Sequence, residues 1–186
     1  LPIMSSEKKK SEPGSQDASS RAGSSDLKAE YETILEQMEL RERALAATEE
    51  GITIADARQP DFPIIYANPG FERLTGYSVA GILGQNCRFL QGSETDQNTV
   101  DKIRDALRLE KPVTVELLNY RKDGTTFWNR LSITPIVDQN QTVTHYIGVQ
   151  SDITERVEAE RALERAKNEL QRINKRMQTD LDRAAR

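Results

Sequence analysis

Residues 113–150 restrict the fold more than any other stretch of this chain. They contain VTVELLNY, RKDG, TFWNRLSITPI and VTHYIGVQ in that order. Residues 113–120, 126–136 and 143–150 read as three β-strands, rich in β-branched and aromatic side chains. Asp123-Gly124 is a hairpin-turn signal between the first two. Asp138-Gln139-Asn140 is a second polar turn. Before this meander, residues 51–55 and 64–67 read as strands around a turn holding Pro60, Asp61 and Pro63. Residues 71–76, 79–83 and 99–109 read as helices or helical turns. Two strands, short helices, then three strands describe an antiparallel five-stranded sheet with helices gathered on one face. The expected fold class is α+β.

Side chains alternate between the faces of a strand. Val113, Val115, Leu117 and Asn119 share one face of the first meander strand. Phe127, Asn129, Leu131, Ile133 and Pro135 share one face of the second. Each row is apolar but for one carboxamide. Both faces of the third strand are fairly apolar, so alternation does not orient it; one face carries Tyr146, Gly148 and Gln150. A buried amide without partners costs about 1–3 kcal/mol. Two readings fit these amides. They bond to backbone or water, or they meet a flat heterocycle edged with C=O and N–H groups. Gly148 adds a second signal, because glycine in a strand permits the close approach of a ligand.

Composition excludes several classes. The net charge is -4 and no basic run extends beyond Lys8-Lys9-Lys10, so no nucleic-acid surface is expected. No apolar run approaches the roughly 20 residues needed to span a bilayer. One cysteine, Cys87, argues against a disulfide-stapled secreted domain. A cytoplasmic protein is the expectation. There is no dinucleotide-binding GxGxxG and no metal-ligand spacing, so neither an enzyme nor a metal site is expected in this chain.

The flanks differ from the middle. Residues 1–25 are Ser-rich without aromatics and read as a disordered tail. Residues 26–49 read as an amphipathic helix, with Leu27, Tyr31, Ile34, Met38 and Leu45 at alternating spacings of four and three, interrupted by Arg41. Ser24, Ser25 or Asp26 would cap its start and Gly51 would mark its end. The globular domain spans residues 50–152. Residues 153–186 repeat the helical pattern through Leu163, Ala166, Leu170, Ile173 and Met177, a narrow stripe that reads as the seam of a short coiled coil in preference to a face packed on its own domain.

Cys87 sits within GQNCRFLQG, residues 84–92, with Asn86 and Arg88 beside it. That stretch resembles the flavin-site signature of LOV domains, the blue-light-sensing branch of the PAS fold. The similarity runs from about residue 51 to residue 152. It takes in PDFPIIYAN, FERLTGYS, ETDQNTVDKIRDAL, VTVELLNYRKDG, TFWNRLSITPI and YIGVQSDIT, in the family's order.

The resemblance implies a non-covalently held flavin, FMN rather than FAD, since no insertion lies between Arg88 and Arg104. Cys87 matches the photoactive cysteine, whose sulfur bonds to the flavin C4a carbon under blue light. Asn119 and Asn129 match the amides that hold the polar edge of the ring, while Asn86, Gln91 and Gln150 match further flavin-contacting positions. Arg88 and Arg104 match phosphate-binding arginines. Leu90, Ile103, Leu107, Leu131, Ile133 and Gly148 match positions lining the ring. Phe62 departs from the pattern, standing where plant relatives carry Asn; Leu131 and Tyr146 stand where Phe is common. The alternative class is a PAS module that senses redox state through flavin without photochemistry.

The resemblance also implies a relay. Gln150 would answer the light reaction by rotating its amide. Ser151-Asp152-Ile153-Thr154 resembles the junction between PAS-type sensors and their output helices. Expected partners are a second copy of the chain, joined through the flanking helices, and an effector domain after the C-terminal helix. MQTDLDRAAR resembles the lead into PP2C-like phosphatases; histidine kinase and cyclase outputs fit the same place.

Overall fold

The structure, a computed structural model, describes residues 17–184. The chain divides into two units, one ending at Ala44 and one beginning at Leu45. The first holds most of helix α1 (Asp17–Ala47). The second holds its last turn, strands β1 (Gly51–Asp56) and β2 (Ile64–Ala67), helices α2 (Pro69–Thr75) and α3 (Val79–Ile82), and a 3-10 turn at Cys87–Leu90. Helix α4 (Gln97–Arg108), strands β3 (Val113–Tyr120), β4 (Thr126–Val137) and β5 (Val143–Asp152), and helix α5 (Thr154–Ala184) complete it.

The five strands form one antiparallel sheet in the order β2-β1-β5-β4-β3. β5, last in sequence, therefore sits in the centre, between β1 and β4. Leu131 pairs with Gln150, Ile133 with Gly148, and Gly51 with Gln150. This register resolves the ambiguous third meander strand, since Tyr146, Gly148 and Gln150 are all buried. The short helices cover that face through two apolar clusters. Ile64, Ala67, Phe71, Ile82 and Leu90 form one. Ile103, Val115 and Leu117 form the other. Each large aliphatic or aromatic side chain fully buried there contributes about 1.5–3 kcal/mol.

Two expectations are corrected. Helix α1 begins at Asp17, ahead of the cap expected at Ser24–Asp26. Once a helix is nucleated, adding residues at its end costs little, so a Ser-rich segment can be carried along. The rest of the expected tail, residues 1–16, lies outside the described residues. Gly51 does not stop α1, which ends at Ala47; it is the first residue of β1. A Cβ there would lie 3.0 Å from Gln150 Oε1 and 3.1 Å from Phe71 Cα, so the position needs glycine for room.

What ends α1 is Asn68, which is fully buried. Its Nδ2 donates to the carbonyls of Leu45 and Glu50 and to Thr48 Oγ1, while its Oδ1 accepts from Ile52 N and Phe71 N. Arg73 adds a bond of 2.7 Å to the Thr48 carbonyl. Gly70 lies so close that a Cβ would sit 2.2 Å from the Glu50 carbonyl. Asn68→Ala should therefore destabilise the chain by about 2 kcal/mol or more, because it strands several polar groups at once. Urea denaturation checks this; a change below about 0.5 kcal/mol would contradict it.

The start of α5 is also fixed. Asp152 accepts from Thr154 N, and Thr154 Oγ1 accepts from Trp128 N at 3.0 Å. Arg156 pairs with Glu116 at 2.6 Å, and the Arg161 guanidinium lies 4.7 Å from the centre of the Trp128 ring.

Candidate functional site

The inner faces of β3, β4 and β5 bring three amides to one cavity of about 120 Å³. Asn119, Asn129 and Gln150 are 3%, 1% and 1% exposed. Asn129 Nδ2 donates to Asn119 Oδ1 at 2.9 Å, and Asn119 Nδ2 to the Leu118 carbonyl at 3.2 Å. Gln150 Nε2 donates to Thr53 Oγ1 at 3.3 Å. The other atom of two of these amides is stranded: Asn129 Oδ1 and Gln150 Oε1 are buried without a partner. Folded proteins seldom leave such oxygens bare, at about 1–3 kcal/mol each. Two in one cavity leave two acceptors open to donors from outside the described residues.

Opposite the strands stands the 3-10 turn. Asn86 caps it, its side chain accepting from Arg88 N. Its first residue, Cys87, lines the cavity and packs against the cluster around Phe71. Burial pushes the Cys87 thiol up to about 12, from an ordinary value of 9.0. The sulfur therefore stays protonated at neutral pH and is a poor nucleophile. The only histidine, His145, lies elsewhere, its Nε2 3.4 Å from Arg58. A raised thiol pKa means that the thiolate, abundant in a free cysteine above pH 9, is withheld until the pH nears 12. Alkylation by iodoacetamide at pH 8 should thus run at least about 100-fold slower than for free cysteine, followed by mass spectrometry on flavin-free protein.

The mouth of the cavity is formed by the β1–β2 turn. Asp61 and Phe62 both adopt left-handed backbone angles, φ 70° and 49°, uncommon for residues other than glycine. The Phe62 ring lines the cavity and meets Tyr146 edge-on at 5.5 Å. Beside the cavity runs a groove that shares Phe62 and is lined in part by Arg88, Arg104 and Arg108.

Of the fourteen residues singled out from sequence, thirteen line the cavity: Asn86, Cys87, Arg88, Leu90, Gln91, Ile103, Leu107, Asn119, Asn129, Leu131, Ile133, Gly148 and Gln150. Arg104 lies in the adjoining groove. The cavity also holds residues that sequence reasoning did not assign to the site, notably Thr53, Phe62 and Tyr146. Thr53 could have been found by strand alternation within β1, but its bond to Gln150 spans 97 positions. At Gly148 a Cβ would lie 2.8 Å from Thr53 Oγ1, so glycine lets that hydroxyl approach.

The PAS domain family matches residues 49–155, the sheet and its covering helices. Phototropin-2 of Oryza sativa subsp. japonica is 51% identical over 114 residues, covering 61% of this chain and 13% of its own length. The solved light-state structure of the blue-light photoreceptor Aureochrome1 LOV is 47% identical, with a TM-score of 0.58, covering 67% of this chain and 97% of that one. The chain is a light-oxygen-voltage (LOV) member of the PAS domain family.

A further relative of this LOV domain is the blue-light-activated histidine kinase 1 of Erythrobacter litoralis, 46% identical over 121 residues, or 65% of this chain and 32% of that protein. The LOV chain thus spans 13% and 32% of the lengths of these two curated relatives. Among its described residues no helix is long and apolar enough to cross a membrane, and no group of three or more His, Cys, Asp or Glu could hold a metal.

Proposed function

We propose that this chain is the sensory part of a blue-light photoreceptor and that its cavity holds flavin mononucleotide. One observation carries the reading: the lone cysteine lines the same cavity as two buried, unpartnered amide oxygens. The residues fit the group. Asn129 Oδ1 is free to accept from a ring N–H, and the apolar side chains of Leu90, Ile103, Leu131 and Ile133 supply the walls a flat ring needs. Arg88 and Arg104, in the adjoining groove, suit a terminal phosphate. When bound, the flavin would supply blue-light absorption and an electrophilic ring carbon, and Cys87, on the cavity wall, would supply both the sulfur that bonds to that carbon and the proton that passes to the ring.

The chain's own residues do the rest. Burial keeps Cys87 a neutral thiol, so it is inert in the dark and brings its proton with it. Asn119 and Asn129 fix each other's orientation through their mutual bond. Gln150 can present either its nitrogen or its oxygen to the ring, and only one weak bond to Thr53 holds its present orientation. Helices α1 and α5, on either side of the domain in sequence, would serve as output helices. Leu27, Tyr31, Ile34 and Met38 on one and Leu163, Leu170, Ile173 and Met177 on the other are exposed and fit a homodimer. An effector beyond α5 fits the Erythrobacter litoralis relative, a blue-light-activated histidine kinase; phosphatase or cyclase outputs fit the same position.

An absorption spectrum of the purified chain tests the reading. The expected result is a flavin band that bleaches under blue light and returns in the dark. Protein that stays colourless after flavin reconstitution overturns the flavin; a bound flavin that never bleaches supports the redox-sensing alternative instead.

A further inference from the structure

Three arginines line the groove that continues from the cavity. Arg104 and Arg108 lie one turn apart on α4 and so face the same side. Each of the three is held by an aspartate. Arg104 meets Asp101 at 2.6 Å and Arg108 meets Asp105 at 2.9 Å, both within the helix. Arg88 meets Asp61 at 2.6 Å, and this pair is different. It joins the β1–β2 turn to the 3-10 turn that carries Cys87, at the mouth of the cavity. The Asp61 carbonyl accepts from Asn86 Nδ2, a second tie between the same turns. Left-handed backbone at Asp61 and Phe62 places the carboxylate on Arg88 and the ring in the cavity together.

A guanidinium fork binds a carboxylate and a phosphate through the same N–H groups. Asp61 therefore sits where an anionic ligand tail would compete for Arg88. We propose that Asp61 sets the charge selectivity of the site: a phosphorylated flavin must displace Asp61 from Arg88, while Arg108 joins Arg104 in holding the phosphate. This rests on the flavin reading above. A flavin without phosphate leaves the Asp61–Arg88 pair intact and gains nothing from Arg108. Exposed ion pairs are weak, so the effect is a tuning of a few fold rather than a block.

The test uses two ligands that share the ring and side chain and differ in the phosphate, FMN and riboflavin. Each is titrated into the flavin-free chain and followed by fluorescence. Asp61→Asn removes the charge and keeps a residue that tolerates left-handed backbone. It should lower the FMN Kd about two- to five-fold and leave the riboflavin Kd unchanged. Arg108→Gln should raise the FMN Kd by a similar factor, again without effect on riboflavin. In an Arg88→Gln background the gain from Asp61→Asn should vanish. The proposal is overturned if either variant moves both Kd values by the same factor, or if FMN affinity does not change. Wild-type protein that binds neither flavin would overturn the flavin reading itself, a separate result.

Discussion

Cys87→Ala protein should bind flavin and keep its absorption band unchanged under blue light. The substitution removes the one sulfur in the chain able to bond to the ring, since no other cysteine exists to replace it. Binding should survive because the amides that receive the ring lie on strands opposite the 3-10 turn, and their positions are set by sheet register. Asn86 caps that turn through backbone N–H of Arg88, so the turn keeps its shape without the thiol. Removing one half-buried sulfur should cost about 1 kcal/mol of stability, far less than folding requires. The expected outcome is thus a complete loss of light-induced bleaching with flavin affinity within about three-fold of wild type. Bleaching that persists in Cys87→Ala would mean that light acts by another route, such as ring reduction, and would remove Cys87 from the mechanism.

Much of this site is legible in the sequence because it breaks a pattern. Asn119 and Asn129 interrupt apolar rows of period two, and both prove buried. β2 and β3 match their expected bounds because alternation and turn residues mark both ends. The 3-10 turn at Cys87–Leu90 was not legible as structure, since four residues carry no period. Phe62 was legible as a departure but not as the wall of the cavity mouth. Its placement depends on two consecutive positive φ angles, which no composition rule foretells for Asp-Phe. Gly51 was misread because glycine after a helix pattern is the usual stop signal. Its real constraint is the Gln150 side chain, about a hundred positions away in sequence and adjacent only through the β1–β5 pairing. Propensity rules act locally, and these residues answer to tertiary neighbours.

Gln150→Leu should keep the light-driven bond to Cys87 and lose its effect on the flanking helices. Leucine fills a similar volume but has no polar atom. It gives up the weak bond to Thr53 and also removes the unpartnered Oε1, so stability should change by no more than about 1 kcal/mol in either direction. What the variant would lose, under the proposed reading, is the ability to answer a change at the bound ring by turning the amide. Two residues separate Gln150 from Ile153, and every one of the next side chains is anchored. Ser151 Oγ donates to Glu50 at 2.7 Å, close to the segment that Asn68 clasps. Asp152 pairs with Arg121 at 2.7 Å and caps α5 through Thr154. Under the proposed reading, a change in how β5 sits between β1 and β4 would therefore reach the ends of both flanking helices through these contacts. A bias of 1.4 kcal/mol shifts such an equilibrium tenfold. Hydrogen exchange over residues 150–157 and 45–52, compared in dark and light, reads this directly. Wild type should show a light-dependent change in both segments, whereas Gln150→Leu should bleach normally and show at most a fifth of that change. A full exchange response in Gln150→Leu would place the coupling elsewhere on the cavity wall, and Thr53, which accepts from Gln150 Nε2, would be the next residue to replace.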